Sequence, residues 1–523
     1  MLGYLKKKIK IKKLNIFFKK KFNFYKENKY KKNLLFVDRE RVDNMFMYSI
    51  LSLALSNKYK LNTLILSDQN NNSLIKKIYQ KLGYKRFVKG FSLVEFIRRP
   101  IFFLFTLLQT IRVVINIYLN GFKWLINNFN IKQIFIGDLI YDSYVRYNFR
   151  FIKKRVDFYF LKLLFSSIFR FYIIRSYFVN FKIKRLLVGT ETKSRNNGLA
   201  LRIATSLNIK NSTFYRFNKH SISLISYKKN YYQDGLDRIT KKDILRIAKK
   251  IPLKTINRFY NRRKNLKTQN HYTANDFFIA NKGNNKDKKF LNSILRKQSK
   301  KILFASHAFA DAPHALGNFI FNDYYEQFEE TLKFVYHNDN KNIWIFKKHP
   351  NSRLYNEEKI FKNLMKKYKK NNIVLCPNNI SVKKLYSVCD TVVTGRGTIG
   401  MEFAGEGKRV IIAGSAPYSD SGIATQAKSI KEYFFLLSNL DKTKIDTGKI
   451  KKIARQVIYI YENSLNVKTI KTNELSKETN YLIWLKNIYT KNFSYNHMFD
   501  TFGQMFEKNI CNTVLYKKLI KMI

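Results

Sequence analysis

Short apolar runs that end in a polar or glycine-bearing turn recur along the second half of the chain. Residues 302–304, 343–346, 373–375, 391–394 and 410–413 have strand length, and each leads into such a turn. Between the first two, Phe321, Tyr325, Phe328, Leu332 and Val335 fall at steps of four and three, which predicts a helix over 321–336 with one core-facing stripe. Alternation of strand and helix predicts a parallel sheet covered on both faces, with ligands held beyond the carboxyl ends of its strands. The first half repeats the theme: 34–37 ends at Asp38, 63–66 at Ser67 and Asp68, 134–136 at Gly137 and Asp138, and 186–188 at Gly189. The fold class expected is α/β. The expected divisions are a basic segment 1–33, a first domain 34–281, a lysine-rich linker 282–300, a second domain 301–470 and terminal helices 471–523.

Two longer apolar stretches interrupt the pattern, 100–126 and 161–178. Arg112 and Gln109 break the first, and Lys162, Arg170 and Arg175 break the second. Both are expected to be amphipathic helices that lie on lipid or bury one face in the first domain, and neither is expected to span a bilayer.

The turns carry the chemistry. Lys347, Lys348, His349 and Pro350 follow one strand, so two ammonium groups and an imidazole sit where an anion can be held. Another strand runs into Gly395, Arg396, Gly397, Thr398, Ile399 and Gly400; glycines admit a ligand to the backbone, Thr398 can cap the following helix, and first-turn amides suit a phosphate. Glu402, one turn further, can accept from ribose hydroxyls. The turn after 304 holds Ser306, His307, Asp311 and His314, suited to positioning or deprotonating an acceptor hydroxyl. A metal site built from its two histidines and Asp311 is the lesser reading, and none is expected. In the first half, Asp138 is the candidate carboxylate base at a cleft edge, against the plainer reading of a turn-making aspartate.

In their order, these motifs resemble the surface-carbohydrate and capsule polysaccharide biosynthesis proteins, glycosyltransferases of GT-B architecture. The resemblance rests on HAFADAPH with NDYYEQFEETL, on KKHPN, on VVTGRGTIGMEFAGEGKRVI, and on Pro417-Tyr418 with Ser421-Gly422. It implies two Rossmann-like domains facing a cleft, with the nucleotide-activated sugar on the second and neither cofactor nor metal needed. Residue by residue, it implies that His349 and Lys348 contact donor phosphates, that Gly397 through Gly400 offer amides, and that Glu402 takes the ribose. Ser306, His307, Tyr418 and Gly422 would line the same cleft, and Arg396 would either add a phosphate contact or point away. The function implied is transfer of a sugar to a surface polysaccharide or lipid-linked glycan. A CDP-glycerol-type polyol-phosphate transferase and a non-catalytic polyanion-binding scaffold are the alternatives.

Charge adds a partner. The 523 residues contain 100 Lys plus Arg against 35 Asp plus Glu, a net +65. No compact nucleic-acid motif accompanies it, so no specific nucleic acid is expected. Thirteen lysines within residues 1–32 are interleaved with Leu14, Ile16, Phe17 and Phe22, which predicts contact with an anionic membrane surface, against the plainer reading of a solvated tail. Three cysteines without a close pair suit a reducing compartment, and no signal-peptide pattern opens the chain. The expected location is cytoplasmic, peripheral at the inner membrane.

Overall fold

Side chains alternate so strictly along the second-half strands that one sheet is buried on both faces. The computed structural model describes residues 30–38, 42–68, 76, 79–80, 82–146, 149–152, 154–189, 195–217, 221–229, 238–265, 285–296, 298–314, 317–378, 380–440, 445–463, 468–471, 517, 520–521 and 523. In the second sheet, β9 (Lys301–Ala305), β10 (Ile343–Lys347), β11 (Ile373–Leu375), β12 (Thr391–Thr394), β13 (Arg409–Ile412) and β14 (Thr425–Gln426) are all parallel, in the order β11-β10-β9-β12-β13-β14. Phe304, Phe346 and Val393 point to one core cluster, while Leu303, Ile345 and Val392 point to the other. This is the doubly wound order, whose connections diverge between β9 and β12 and open a crevice there.

The first sheet has the order β15-β8-β7-β6-β1-β2-β3. β1 (Asn33–Val37), β2 (Asn62–Leu66), β3 (Phe87–Val88), β6 (Ile183–Leu187) and β7 (Lys210–Phe217) run parallel, and β8 (Ser221–Ile225) turns back antiparallel. Residues 134–136 depart from expectation. Among the described residues, Ile134 and Phe135 form β5 (Ile134–Phe135), which pairs with β4 (Asn130–Ile131) in a small hairpin outside the large sheet, and Gly137 immediately starts a helix. Helices described in the first domain include α1 (Val42–Tyr59), α2 (Leu93–Arg98), α3 (Pro100–Asn128), α4 (Gly137–Val145), α5 (Phe158–Asn180) and α6 (Arg195–Ser206).

The domain limits also differ from those expected. α7 (Lys241–Lys250) and α8 (Leu253–Asn265) lie in the sequence expected for the first domain, yet Ile244, Ile247, Ile256 and Tyr260 belong to the core beneath the second sheet. The expected linker contains α9 (Asn285–Leu295), whose Ile294 joins that core. Past α15 (Thr447–Asn463) the chain returns to the first sheet, where β15 (Lys468–Lys471) pairs with β8. The predicted helix over 321–336 is α10 (Tyr324–Asn338), shifted because the Asp323 carboxylate caps it by accepting from the amide of Glu326 at 2.9 Å. Most of the expected terminal helices, and the basic segment 1–29, lie outside the described residues. Lys58 and Tyr59 of α1 do reach the carbonyls of Ile520 and Ile523, so the chain end lies on the first domain.

Candidate functional site

Three turns meet at the crevice of the second sheet. After β9, the Ser306 amide donates to the Lys347 carbonyl (3.0 Å) and fastens the end of β9 to β10. The next residue, His307, stacks on Tyr324 with ring centroids 4.2 Å apart, and its Nε2 accepts from the backbone amide of Arg396 at 3.2 Å. His349, after β10, lies parallel to His307 with centroids 6.1 Å apart. Its Nδ1 accepts from the Asn351 amide (3.1 Å), which assigns the proton to Nε2 and makes that nitrogen a donor. Gly395 is required at this meeting point, since a Cβ there would stand 2.9 Å from the Tyr324 ring and 3.0 Å from that of His307.

Arg396 is the unusual member. Its Nη2 donates to the carbonyls of Gly317 (3.0 Å) and Asn318 (3.3 Å), but among the described residues Nε and Nη1 have no hydrogen-bond partner, although the side chain is only 9% exposed. No described carboxylate pairs with it. A buried guanidinium with two open donors is costly unless an anion meets it. The neighbouring lysines are engaged otherwise. Lys347 donates to the Ile380 carbonyl (2.7 Å), and burial lowers its pKa, whereas Lys348 lies 3.4 Å from Glu358.

The loop from β9 to α10 joins this crevice to the first domain. His314, on that loop, places Nδ1 2.7 Å from Oδ1 of Asp142 in α4, and its amide donates to Oδ2 at 3.2 Å. With Nδ1 donating, Nε2 keeps its lone pair; this nitrogen is buried and has no partner among the described residues. Burial raises the pKa of Asp142, and His314 opposes the shift. Beside this pair, the Tyr141 hydroxyl donates to Asp323 at 2.6 Å, and Lys154 lies 2.8 Å from the same carboxylate. Burial lowers the ammonium's pKa, but Asp323 and Glu326 outweigh it and raise it overall. Phe151 against Phe309, 5.6 Å between centroids, completes an apolar seam between the domains.

Several expected site residues do other work. Asp138 is 3% exposed, and both its oxygens accept from Arg202, at 2.5 and 2.6 Å. It therefore neutralises a buried arginine and faces no acceptor; Asp142, one turn along α4, is the carboxylate at the domain boundary. Glu402 is likewise consumed: Arg263 donates to one oxygen at 3.0 Å and the Tyr386 hydroxyl to the other at 2.8 Å, which removes it from the ribose role. Thr398 has helical backbone and makes no capping bond at the head of α13 (Ile399–Gly405), while the Gly400 amide is spent on the Gly397 carbonyl at 3.0 Å. Tyr418 is fully buried and braces the glycine turn from behind by donating to the Gly397 carbonyl at 2.6 Å; a Cβ on Gly400 would stand 2.2 Å from that hydroxyl. Gly422 closes a 3-10 turn at φ +82°, and Ile399 packs against the core behind the crevice. Asp311 turns back on its loop, accepting from the Ala312 amide at 3.0 Å. With His307 held by Arg396 and His314 by Asp142, no group of three or more His, Cys, Asp or Glu among the described residues could hold a metal. The Asp142 to His314 pair escaped the sequence reading, because 172 residues separate its members.

Residues 217–483, just over half of the chain, match the family described as capsule polysaccharide biosynthesis protein. No curated protein sequence matches the chain. Among solved structures, the KpsC beta Kdo 2,4 transferase of Thermosulfurimonas dismutans is 12% identical, with 58% of this chain and 88% of that one covered and a TM-score of 0.32. A glycosyltransferase from Rickettsia africae ESF-5 is 12% identical over 93% and 100%, with a TM-score of 0.26. The UDP-GlcNAc 2-epimerase of Neisseria meningitidis, bound to UDP-GlcNAc, is 11% identical over 83% and 99%, with a TM-score of 0.24. The family match over more than half of its length decides the assignment: the chain belongs to the capsule polysaccharide biosynthesis protein family.

Proposed function

We propose that this chain is a glycosyltransferase of GT-B type that moves a sugar from a nucleotide-activated donor to a surface polysaccharide or lipid-linked acceptor, at the cytoplasmic face of a membrane. The observation that carries the reading is Arg396, a buried guanidinium with open donors at the topological switch point of a doubly wound sheet. A nucleotide phosphate satisfies it, and Nε2–H of His349 supplies a second donor from the next turn. As the bond between the anomeric carbon and the donor phosphate breaks, its electron pair leaves on the phosphate oxygen, where these cationic and donor groups stabilise it. The acceptor hydroxyl forms the new bond to carbon and gives its proton to Nε2 of His314, while Asp142 holds Nδ1–H and stabilises the imidazolium.

The test uses His349→Asn, whose side-chain oxygen can still accept from the Asn351 amide while the Nε2 donor is lost. Melting temperatures are measured with UDP, GDP, CMP, CDP and their sugar conjugates. One nucleotide family should stabilise the wild type and lose most of that effect in the variant. Equal stabilisation by every polyanion, unchanged in the variant, would overturn the donor site and leave a charge-driven scaffold.

A further inference from the structure

α3 and α5 were expected to behave alike, and they do not. α5 is a core helix, buried along most of its length. α3 is long and apolar enough by length and composition to cross a membrane, yet it buries only one side, through Thr106, Thr110, Val113 and Ile117. The two threonine hydroxyls turn back on their own helix, onto the Phe102 and Thr106 carbonyls, so that face is dry and packed. Ring contacts from Phe102 to Tyr172 and from Phe103 to Phe165 fix the helix to α5. The opposite side is an apolar stripe at helical spacing: Ile101, Leu104, Leu108, Ile111, Ile115 and Leu119 are all exposed, Ile101 at 64% and Leu119 at 75%.

The geometry points to this stripe as the surface by which the protein docks on an anionic bilayer, with α3 lying in the plane of the membrane and its outer face among the lipid chains. A helix whose other side belongs to a domain core cannot be surrounded by lipid, which excludes spanning by α3 in this fold. Charge complementarity selects the occupant. Exposed Arg98 and Arg112 flank the stripe, Lys123 follows it beyond a kink at Gly121, α3 contains no acidic residue, and Glu95 of neighbouring α2 is already paired with Arg99 at 2.9 Å. A second copy applied to the same face would oppose these cations with cations, whereas anionic headgroups pair with them. The inference stands independently of the transferase reading, since it uses no residue of the crevice.

Flotation of the full chain with phosphatidylcholine vesicles, with and without phosphatidylglycerol, tests it. The wild type should float with the anionic vesicles, and Leu104→Glu/Leu108→Glu/Ile115→Glu should reduce the floated fraction about tenfold or more while keeping its circular dichroism spectrum. Leu104→Ser/Leu108→Ser/Ile115→Ser, which adds no charge, should show an intermediate loss. Flotation by both variants equal to wild type would overturn the proposal and assign binding to lysines elsewhere. A wild type that does not float, but is a dimer by light scattering and becomes monomeric in the variants, would also overturn it and make the stripe an interface between copies.

Discussion

Six strands of each large sheet follow the same order, but their carboxyl-end turns are resolved in opposite ways. In the first, Asp38 accepts from the Ser67 hydroxyl at 2.5 Å, and Asp68 accepts from the amides of Gly90 (2.8 Å) and Phe91 (3.0 Å) while pairing with Arg170. These turns are acidic, and the one buried guanidinium among them, Arg170, faces a carboxylate. In the second, His307 and His349 stand together and Arg396 retains open donors. Topology alone supplies two crevices; the balance of donors and acceptors separates a braced turn from one that awaits an anion.

The largest expected effect lies where the two domains meet. His314→Ala should lower transfer by roughly 10²–10⁴-fold, the usual range for a positioned base. Asp142→Asn should follow it in direction, as initial rates normalised to folded protein will show. Full turnover in both would reduce the pair to a domain clasp. Asp138→Asn sharpens the contrast within α4: it should cost about 3–5 kcal/mol in urea unfolding by leaving Arg202 buried and uncompensated, with turnover per folded molecule unchanged.

A pH effect comes next. Burial pushes the pKa of Glu357 up to about 7, although its carboxylate accepts from the Ala310 amide at 2.8 Å. Its folded pKa lies above the unfolded one, so its contribution is complete below the ordinary glutamate range and is lost as pH rises through about 7. Unfolding free energy should therefore fall between about pH 5 and 8, with this group responsible for at most about 3 kcal/mol at about 1.4 kcal/mol per unit. Glu357→Gln should flatten that part of the profile. Gly400→Ala should cost about 1–3 kcal/mol by overpacking against the Tyr418 hydroxyl, and Tyr418→Phe in the same chain should recover part of it. The smallest change is expected of Glu402→Gln: about 1 kcal/mol of stability and an unaltered donor KM. A raised KM would restore the ribose role.

The second sheet was legible because each of its core strands is a near-continuous apolar run, and because the residue after a strand end falls in the crevice whatever the intervening loops do. That is why His307, His349 and Arg396 could be brought to one place from sequence. Glu402 was misread for a related reason. Its partner Arg263 sits on α8, in a stretch assigned to the wrong domain, and nothing in a 13-residue basic helix says which core it serves. Asp138 and Asp142 differ only in what faces each of them, Arg202 from α6 and His314 from the other domain, and such tertiary choices leave no local pattern.

The return of the chain at β15 has a consequence for biosynthesis. The first sheet lacks its outer strand until the 242 residues between Ile225 and Lys468 have followed β8. At roughly 5–20 residues per second, the nascent chain leaves that sheet edge unpaired for about 10–50 s, during which the whole second domain emerges. Ribosomal pausing within that window would lengthen the exposure of a strand template open to other chains, so the yield of soluble protein should depend on elongation speed between the two strands more than on speed anywhere upstream.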